Sequence, residues 1–318
     1  MTIVACSTPP GTSGIAVVRI SGKDAIKNVS SFIKDCPFNE KSPGSKICLL
    51  VDKDGLIFDE AVVTSYLGPN SYTGENLVEV SCHGNPNIVS KIIDLSVEIY
   101  QKCPTLPNHP PMVLSEYQTH KTIREADGVK FSCASMYMSL GEHTGTHVDA
   151  FSHFDPDPNA KSIDQMPLEN FYTDGICLDL SHKPLKSNIT IDDLKEALEK
   201  DKLTIHPKDS VLLYMAHYDR TYGTSKFLTD FPGLTRNSAE WLGKQDITSF
   251  GVEAVSPGTP GKNNFDVHNV CKEMGFTHIE GLTNLDKLIG KGRFKFIGLP
   301  LKIRGGTGSP IRAIAVLK

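Results

Sequence analysis

Eleven residues, His143-Thr-Gly-Thr-His147-Val-Asp149-Ala-Phe-Ser-His153, constrain the fold more than any other stretch. Three of the chain's eleven His fall in this window, with an Asp among them. Imidazole and carboxylate together suit zinc, manganese or iron. The chain must therefore fold so that these side chains converge. Gly145 argues against a regular helix through His143 and His147, which places that pair on a bent turn. Asp149 and His153 have helical spacing, which would put both on one face. A single His is usually structural, but three with an Asp in one short run reverse that expectation. H-x-x-x-H also occurs in H-E-x-x-H metalloproteases, yet Thr144 stands where their general-base Glu would be.

At 318 residues the chain suits two domains, and 39% apolar residues suffice for ordinary cores. The net charge of −4 gives no basic field for nucleic acid. No segment approaches the roughly 18 apolar residues of a membrane span. The opening Met-Thr-Ile-Val-Ala-Cys lacks the charged and apolar regions of a signal peptide, so a cytoplasmic location is expected. The eight Cys are scattered without C-x-x-C and read as reduced thiols. No G-x-x-x-x-G-K-[ST] loop occurs anywhere, which excludes a P-loop GTPase.

Residues 1–91 read as a small α+β domain. Gly14–Ile20 is a strand, a helix starts at Ser21, and 47–51 with 56–66 form a hairpin around Asp52-Lys-Asp-Gly55. A strand over 76–81 precedes a helix capped by Asn85 with Pro86 at its first position. There is no Pro/Gly/Ser linker near 91, so residues 92–318 follow as a direct fusion. In that second domain Cys103–Pro111 is a proline loop, with His109 read as a loop residue. Strands are expected at 175–180, 210–216 and 249–255. Helices are capped at Thr190 and Asp266, the latter ending at Gly275. Glu280, inside an apolar strand, needs a partner because a buried unpaired carboxylate is costly.

The His143–His153 run resembles the signature of the metal-dependent cyclase family, H-x-G-T-H-x-D-x-P-x-H. That family includes bacterial kynurenine formamidase, isatin hydrolase and trans-dienelactone hydrolase. The chain matches at His143, Gly145, Thr146, His147, Asp149 and His153, and departs at Phe151, where the family has Pro. In the family a His and a Glu twelve residues apart complete a second metal site, and His268 and Glu280 have that spacing. With Pro300–Pro310, the resemblance extends from about 92 to the C-terminus. It implies a swivelling β/β/α mixed-sheet fold. It also implies His143, His147 and Asp149 on one zinc or manganese ion, and His268 and Glu280 on a second with Asp149 bridging. His153 would be a catalytic base rather than a ligand. The implied activity is hydrolysis of an amide, formamide, cyclic imide or lactone of a small carboxylate-bearing or aromatic molecule.

Thr2-Ile-Val-Ala, Thr8-Pro-Pro-Gly11, Gly14–Gly22, Gly68–Glu75 and Cys82-His-Gly84 resemble the N-terminal domain of the tRNA-modification GTPase MnmE (TrmE). That resemblance implies dimerisation and a formyl-tetrahydrofolate site involving Arg19 and Glu75. The competing reading is a folate-binding or dimerising interaction protein whose cyclase domain is inactive. Homodimerisation is expected under either, because both families form dimers.

Overall fold

The computed structural model describes residues 2–7, 15–35, 43–52, 55–83 and 92–317. The chain is α+β, with more strand than helix, and divides into two compact units, Met1–Lys91 and Ile92–Leu317.

The first unit contains β1 (Ile3–Cys6), β2 (Ala16–Ser21), α1 (Ala25–Ser30), β3 (Gly44–Val51), β4 (Ile57–Tyr66) and β5 (Leu77–Cys82). The strands form one antiparallel sheet in the order β1-β2-β5-β4-β3. Alternation decides which face is covered: Ala61, Val63 and Ser65 of β4 are buried while Val62 and Tyr66 are exposed. Helix α1 buries Ala25, Ile26 and Val29 against that face. It starts later than Ser21, after Gly22 at φ 137. The expected hairpin forms, and Gly55 takes φ 79 while donating its N–H to Asp52 O at 3.0 Å. The helix expected at Asn85 lies outside the described residues.

The second unit begins with β6 (Ile92–Asp94), followed by β7 (Val113–Gln118), β8 (Ile123–Ala126), β9 (Val129–Ser132) and β10 (Ser135–Ser139). Strands β7 and β10 pair with each other, as do β8 and β9, and their side chains are mostly exposed. Next come β11 (His147–Asp149), α2 (Phe151–Phe154), β12 (Tyr172–Asp179), β13 (Asn188–Ile189) and α3 (Ile191–Lys200). After these follow β14 (Ser210–Tyr214), α4 (His217–Thr221), β15 (Gly233–Leu234), α5 (Arg236–Gly243) and β16 (Ser249–Val252). The chain closes with α6 (Lys262–Met274), β17 (Thr277–Glu280), β18 (Phe294–Ile297), β19 (Gly308–Pro310) and β20 (Ile314–Leu317).

Nine strands make one mixed sheet in the order β19-β11-β17-β16-β14-β12-β18-β20-β6. Strands β12, β14, β16 and β17 run parallel to their neighbours in that block, and the flanking pairs are antiparallel. The central strands are apolar at successive positions because both faces are covered. Ile176, Leu178, Val211 and Leu213 face a core closed by α3, α5 and α6. Cys177 and Leu212 face the opposite core, with Phe294, Phe296, Val148 and Ala315. Each fully buried Leu or Phe there stabilises the fold by about 1.5–3 kcal/mol.

Thr190 caps α3 through a reciprocal capping box with Asp193, as its sequence position predicts. Asp266 does not cap α6. The helix starts at Lys262 after Gly261 at φ 95, and Asp266 lies within it, paired with Lys262 one turn back. Gly275 ends the helix in the left-handed conformation at φ 74. Among the described residues no helix is long and apolar enough to cross a membrane.

Glu253, directly after β16, is 1% exposed. Burial pushes its carboxyl from the ordinary 4.5 up to about 7. A raised folded-state pKa means stability that is fully present below 4.5 and is lost as pH rises through about 7. Glu253→Gln does not titrate there, so its melting temperature relative to the natural protein should climb between about pH 5 and 8. A pH-independent difference in thermal melts would show that Glu253 does not carry a proton in the fold.

Candidate metal centre

The His143–His153 run crosses from a turn into β11 and then into α2. Gly145 takes φ 66, and a Cβ there would meet Ile99 Cγ1 at 3.2 Å. Thr146 is buried and fastens the turn. Its Oγ1 donates to Gly281 O at 2.6 Å and accepts from Val97 N–H at 2.9 Å. Gly281 itself has φ 67, and a Cβ on it would lie 2.7 Å from Gly145 O. The glycines and Thr146 thus press the start of β11 onto the end of β17.

Sheet register then assembles the site. His147 lies opposite Glu280 in the antiparallel β11–β17 pair. Side chains two apart share a face, so His147 with Asp149, and His278 with Glu280, point the same way. His147 Nε2 is 3.3 Å from Glu280 Oε2 and 3.6 Å from Asp149 Oδ1. His143 Nδ1 is 2.8 Å from Asp149 Oδ1. His278 Nε2 is 3.2 Å from both Asp149 Oδ2 and Glu280 Oε1. His268, from α6, brings Nε2 to 4.0 Å from Asp149 Oδ2.

The structure therefore brings together all five sequence-proposed ligands. Two donor groups emerge, each with its atoms within 4.8 Å of one another: His143, His147 and Asp149, and Asp149, His268, His278 and Glu280. Asp149 belongs to both. His153 stands beside them, with Nε2 3.7 Å from Asp149 Oδ2 and its side chain 30% exposed. Asp149 is on a strand and His153 on α2, so the helical face expected for that pair does not exist. The strand-to-helix bend brings them close instead.

His278 is the residue that sequence reading missed. Its ring is fully buried, stacked between Phe154 at 5.9 Å and Phe250 at 5.6 Å. Its Nδ1 lies 3.7 Å from Cys271 Sγ, which leaves Nε2 aimed at the carboxylates. The signal was available, because His278 stands two residues before Glu280 in a strand. His109 also enters the site from its proline loop, its ring 5.1 Å from that of His143.

Outer partners fix the remaining rings. His147 Nδ1–H donates to Gly145 O at 2.9 Å, and His268 Nδ1–H to Asn264 O at 2.8 Å. Each leaves Nε2 turned to the centre, the arrangement that metal-ligating histidines require. His143 Nε2 meets Thr307 Oγ1 at 3.1 Å, and Thr307 donates to Glu142 Oε2 at 2.6 Å.

The electrostatics define what the site will accept. Burial opposes charge on Asp149, yet His278, His143 and His147 hold its carboxyl well below the usual range. Burial likewise opposes charge on Glu280, but hydrogen bonds from His147 and His278 bring it down to about 2. His278 is raised well above its usual value against burial, chiefly by Asp149. Among the described residues the ion-pair partners of these two carboxylates are histidines alone. Two buried carboxylates ringed by imidazoles call for positive charge, and this N/O donor set fits a divalent cation. Burial pushes His153 down to about 4, so it is neutral near pH 7.

The centre lines a cavity of about 370 Å³. Phe154, Tyr222, Phe227 and Phe265 supply aromatic surface to it, and among the described residues that line it none is Lys or Arg.

Arg19 and Glu75 are not joined by a hydrogen bond or ion pair among the described residues. Arg19, on β2, is engaged by Glu79 across the β2–β5 pair at 2.6 Å and lies 5.9 Å from the Tyr72 ring centroid. Glu75 sits exposed in the loop before β5.

Residues 2–104 match the family model for the N-terminus of the GTP-binding protein TrmE. Over 94 residues the chain is 45% identical to the tRNA modification GTPase MnmE of Thermotoga petrophila, covering 30% of this chain and 20% of that protein. The MnmE of Fervidobacterium nodosum is 39% identical over 101 residues, 31% of this chain and 22% of its own. The chain spans about a fifth of the length of these curated relatives. Isatin hydrolase A from Ralstonia solanacearum shares 25% identity and a TM-score of 0.63, covering 73% of this chain and 94% of its own. An isatin hydrolase bound to the product analogue thioisatinate shares 27% identity and a TM-score of 0.62, covering 72% and 92%. Residues 93–259, more than half of the chain, match the Cyclase family model, described as "Putative cyclase". Residues 2–104 are similar to the N-terminus of TrmE, and the chain belongs to the Cyclase family.

Proposed function

We propose that residues 92–318 form a metal-dependent hydrolase that opens an amide, formamide, cyclic imide or lactone bond of a small molecule. The observation that carries this reading is Asp149, one carboxylate shared by two donor groups and lining a cavity. His143, His147 and Asp149 would hold one ion, and Asp149, His268, His278 and Glu280 a second. A divalent ion there, zinc or manganese, would polarise a carbonyl and lower the pKa of water toward ~7.

The chain's own residues supply the rest. His153, neutral and partly exposed beside Asp149, is placed to take a proton from the attacking water and deliver it to the leaving nitrogen or oxygen. Phe154, Tyr222, Phe227 and Phe265 favour a ring-bearing substrate. Glu98 in the lining, with no Lys or Arg among the described lining residues, favours an uncharged one over a carboxylate-bearing one.

The test is elemental analysis of the purified full-length protein, followed by assays on isatin and formanilide before and after chelation. The expected result is about two ions per chain, with hydrolysis abolished by chelator and restored by zinc or manganese. Protein that holds no metal and takes none up would sink the reading and favour an inactive cyclase domain. For residues 1–91 we propose self-association, supported by their likeness to MnmE. Formyl-tetrahydrofolate binding through Arg19 and Glu75 is an extension of that proposal, read by calorimetry.

A further inference from the structure

Glu253 lies outside the metal centre and plays no part in the chemistry above. Its Oε2 accepts hydrogen bonds from the backbone N–H groups of Met215 at 2.6 Å and His217 at 3.2 Å. These amides mark the passage from β14 into α4. Between them Ala216 takes a left-handed conformation, φ 50 and ψ 25, which residues other than Gly seldom hold. Among the described residues no Lys or Arg pairs with this carboxyl, and the nearby charge of Asp219 repels it. Burying such a group is costly, so its hydrogen bonds must hold something in place.

What they hold is a wall of the cavity. His217 is fully buried and stacks on Phe227, with ring centroids 5.3 Å apart and planes within 9°. Its Nε2 also meets Phe227 O at 3.0 Å. Phe227 packs edge-on to Tyr222 at 5.1 Å, and both rings line the cavity. Val255 and Ser256, just beyond Glu253 in the chain, line it too. One carboxyl thus ties two segments of the same wall.

We propose that Glu253 is a positioning residue that fixes the Tyr222–Phe227 wall and thereby sets substrate affinity without entering the chemistry. Only the kinetic readout of this assignment rests on the hydrolase reading. Glu253→Gln keeps an acceptor oxygen for both amides, whereas Glu253→Ala removes it. The full-length protein and both variants are compared by metal content, by hydrogen exchange over residues 215–228, and by kinetics on isatin. In Glu253→Ala, exchange over 215–228 should accelerate while metal content stays unchanged. KM should rise about tenfold with kcat held within about threefold, and Glu253→Gln should stay within about twofold of the natural protein in both constants. If Glu253→Ala does not accumulate as folded protein, Glu253→Asp, one methylene shorter, replaces it with the same expectations.

Unchanged exchange over 215–228 in Glu253→Ala would overturn the proposal. So would a fall in kcat at constant KM, or a Glu253→Gln variant as impaired as Glu253→Ala. If the natural protein binds metal yet does not turn over isatin, the substrate reading fails, and the exchange measurement alone decides the role of Glu253.

Discussion

His147→Ala is expected to lose bound metal and hydrolysis together. The ring sits within reach of both Asp149 and Glu280, the two carboxylates of the centre. Its removal takes a donor from the first group and leaves Glu280 with His278 as its remaining ion-pair partner among the described residues. Elemental analysis should fall from about two ions per chain to one or none, and kcat/KM should drop on the order of 10³-fold or more. A destabilisation of about 1–3 kcal/mol is expected from the buried carboxylate left under-satisfied. Full metal occupancy in this variant would mean that the ligand set is wrongly assigned.

His153→Ala separates chemistry from metal binding. The residue belongs to neither donor group and is more exposed than the candidate donors His143 and His268 beside it. Metal content should stay unchanged while kcat falls about 10²–10⁴-fold, the range of general acid–base contributions. Added imidazole should restore part of the lost rate, since the deleted ring leaves space open to the cavity. Full turnover by His153→Ala would remove its role as the proton carrier.

His147 is fixed by a strand ladder and His153 by a short helix. That difference also explains what the sequence could reveal. The candidate donors His143, His147 and Asp149 fall within one short run, so their chemistry is legible directly. Asp149 and His153 have a helical interval, but pairing of β11 between β17 and β19 overrides it and draws Asp149 into the sheet. Asp266 has the chemistry of a helix cap, yet Gly261 at φ 95 starts α6 a turn earlier. His278 stands in a segment that reads as a buried apolar strand, where a lone His is ordinarily structural, and only its period-two relation to Glu280 marks it. Strands β7 to β10 carry mostly exposed side chains, so no buried face marks them in the sequence. The approach of His147 to Glu280 depends on register between distant segments, which local pattern does not encode.

The second unit opens on β6, the outermost strand of the nine-stranded sheet. Ile92, the first residue of β6, lies across from Val316 in β20. The second unit therefore begins and ends on adjacent strands, one ladder spacing apart. Residues joined ahead of Ile92 need not thread the sheet or break its ladder, and β11 and β17, which carry His147, Asp149, His278 and Glu280, lie toward its other edge. The cyclase domain is in effect a cassette with both leads at one corner, a geometry that tolerates a partner domain at the cost of a single joint.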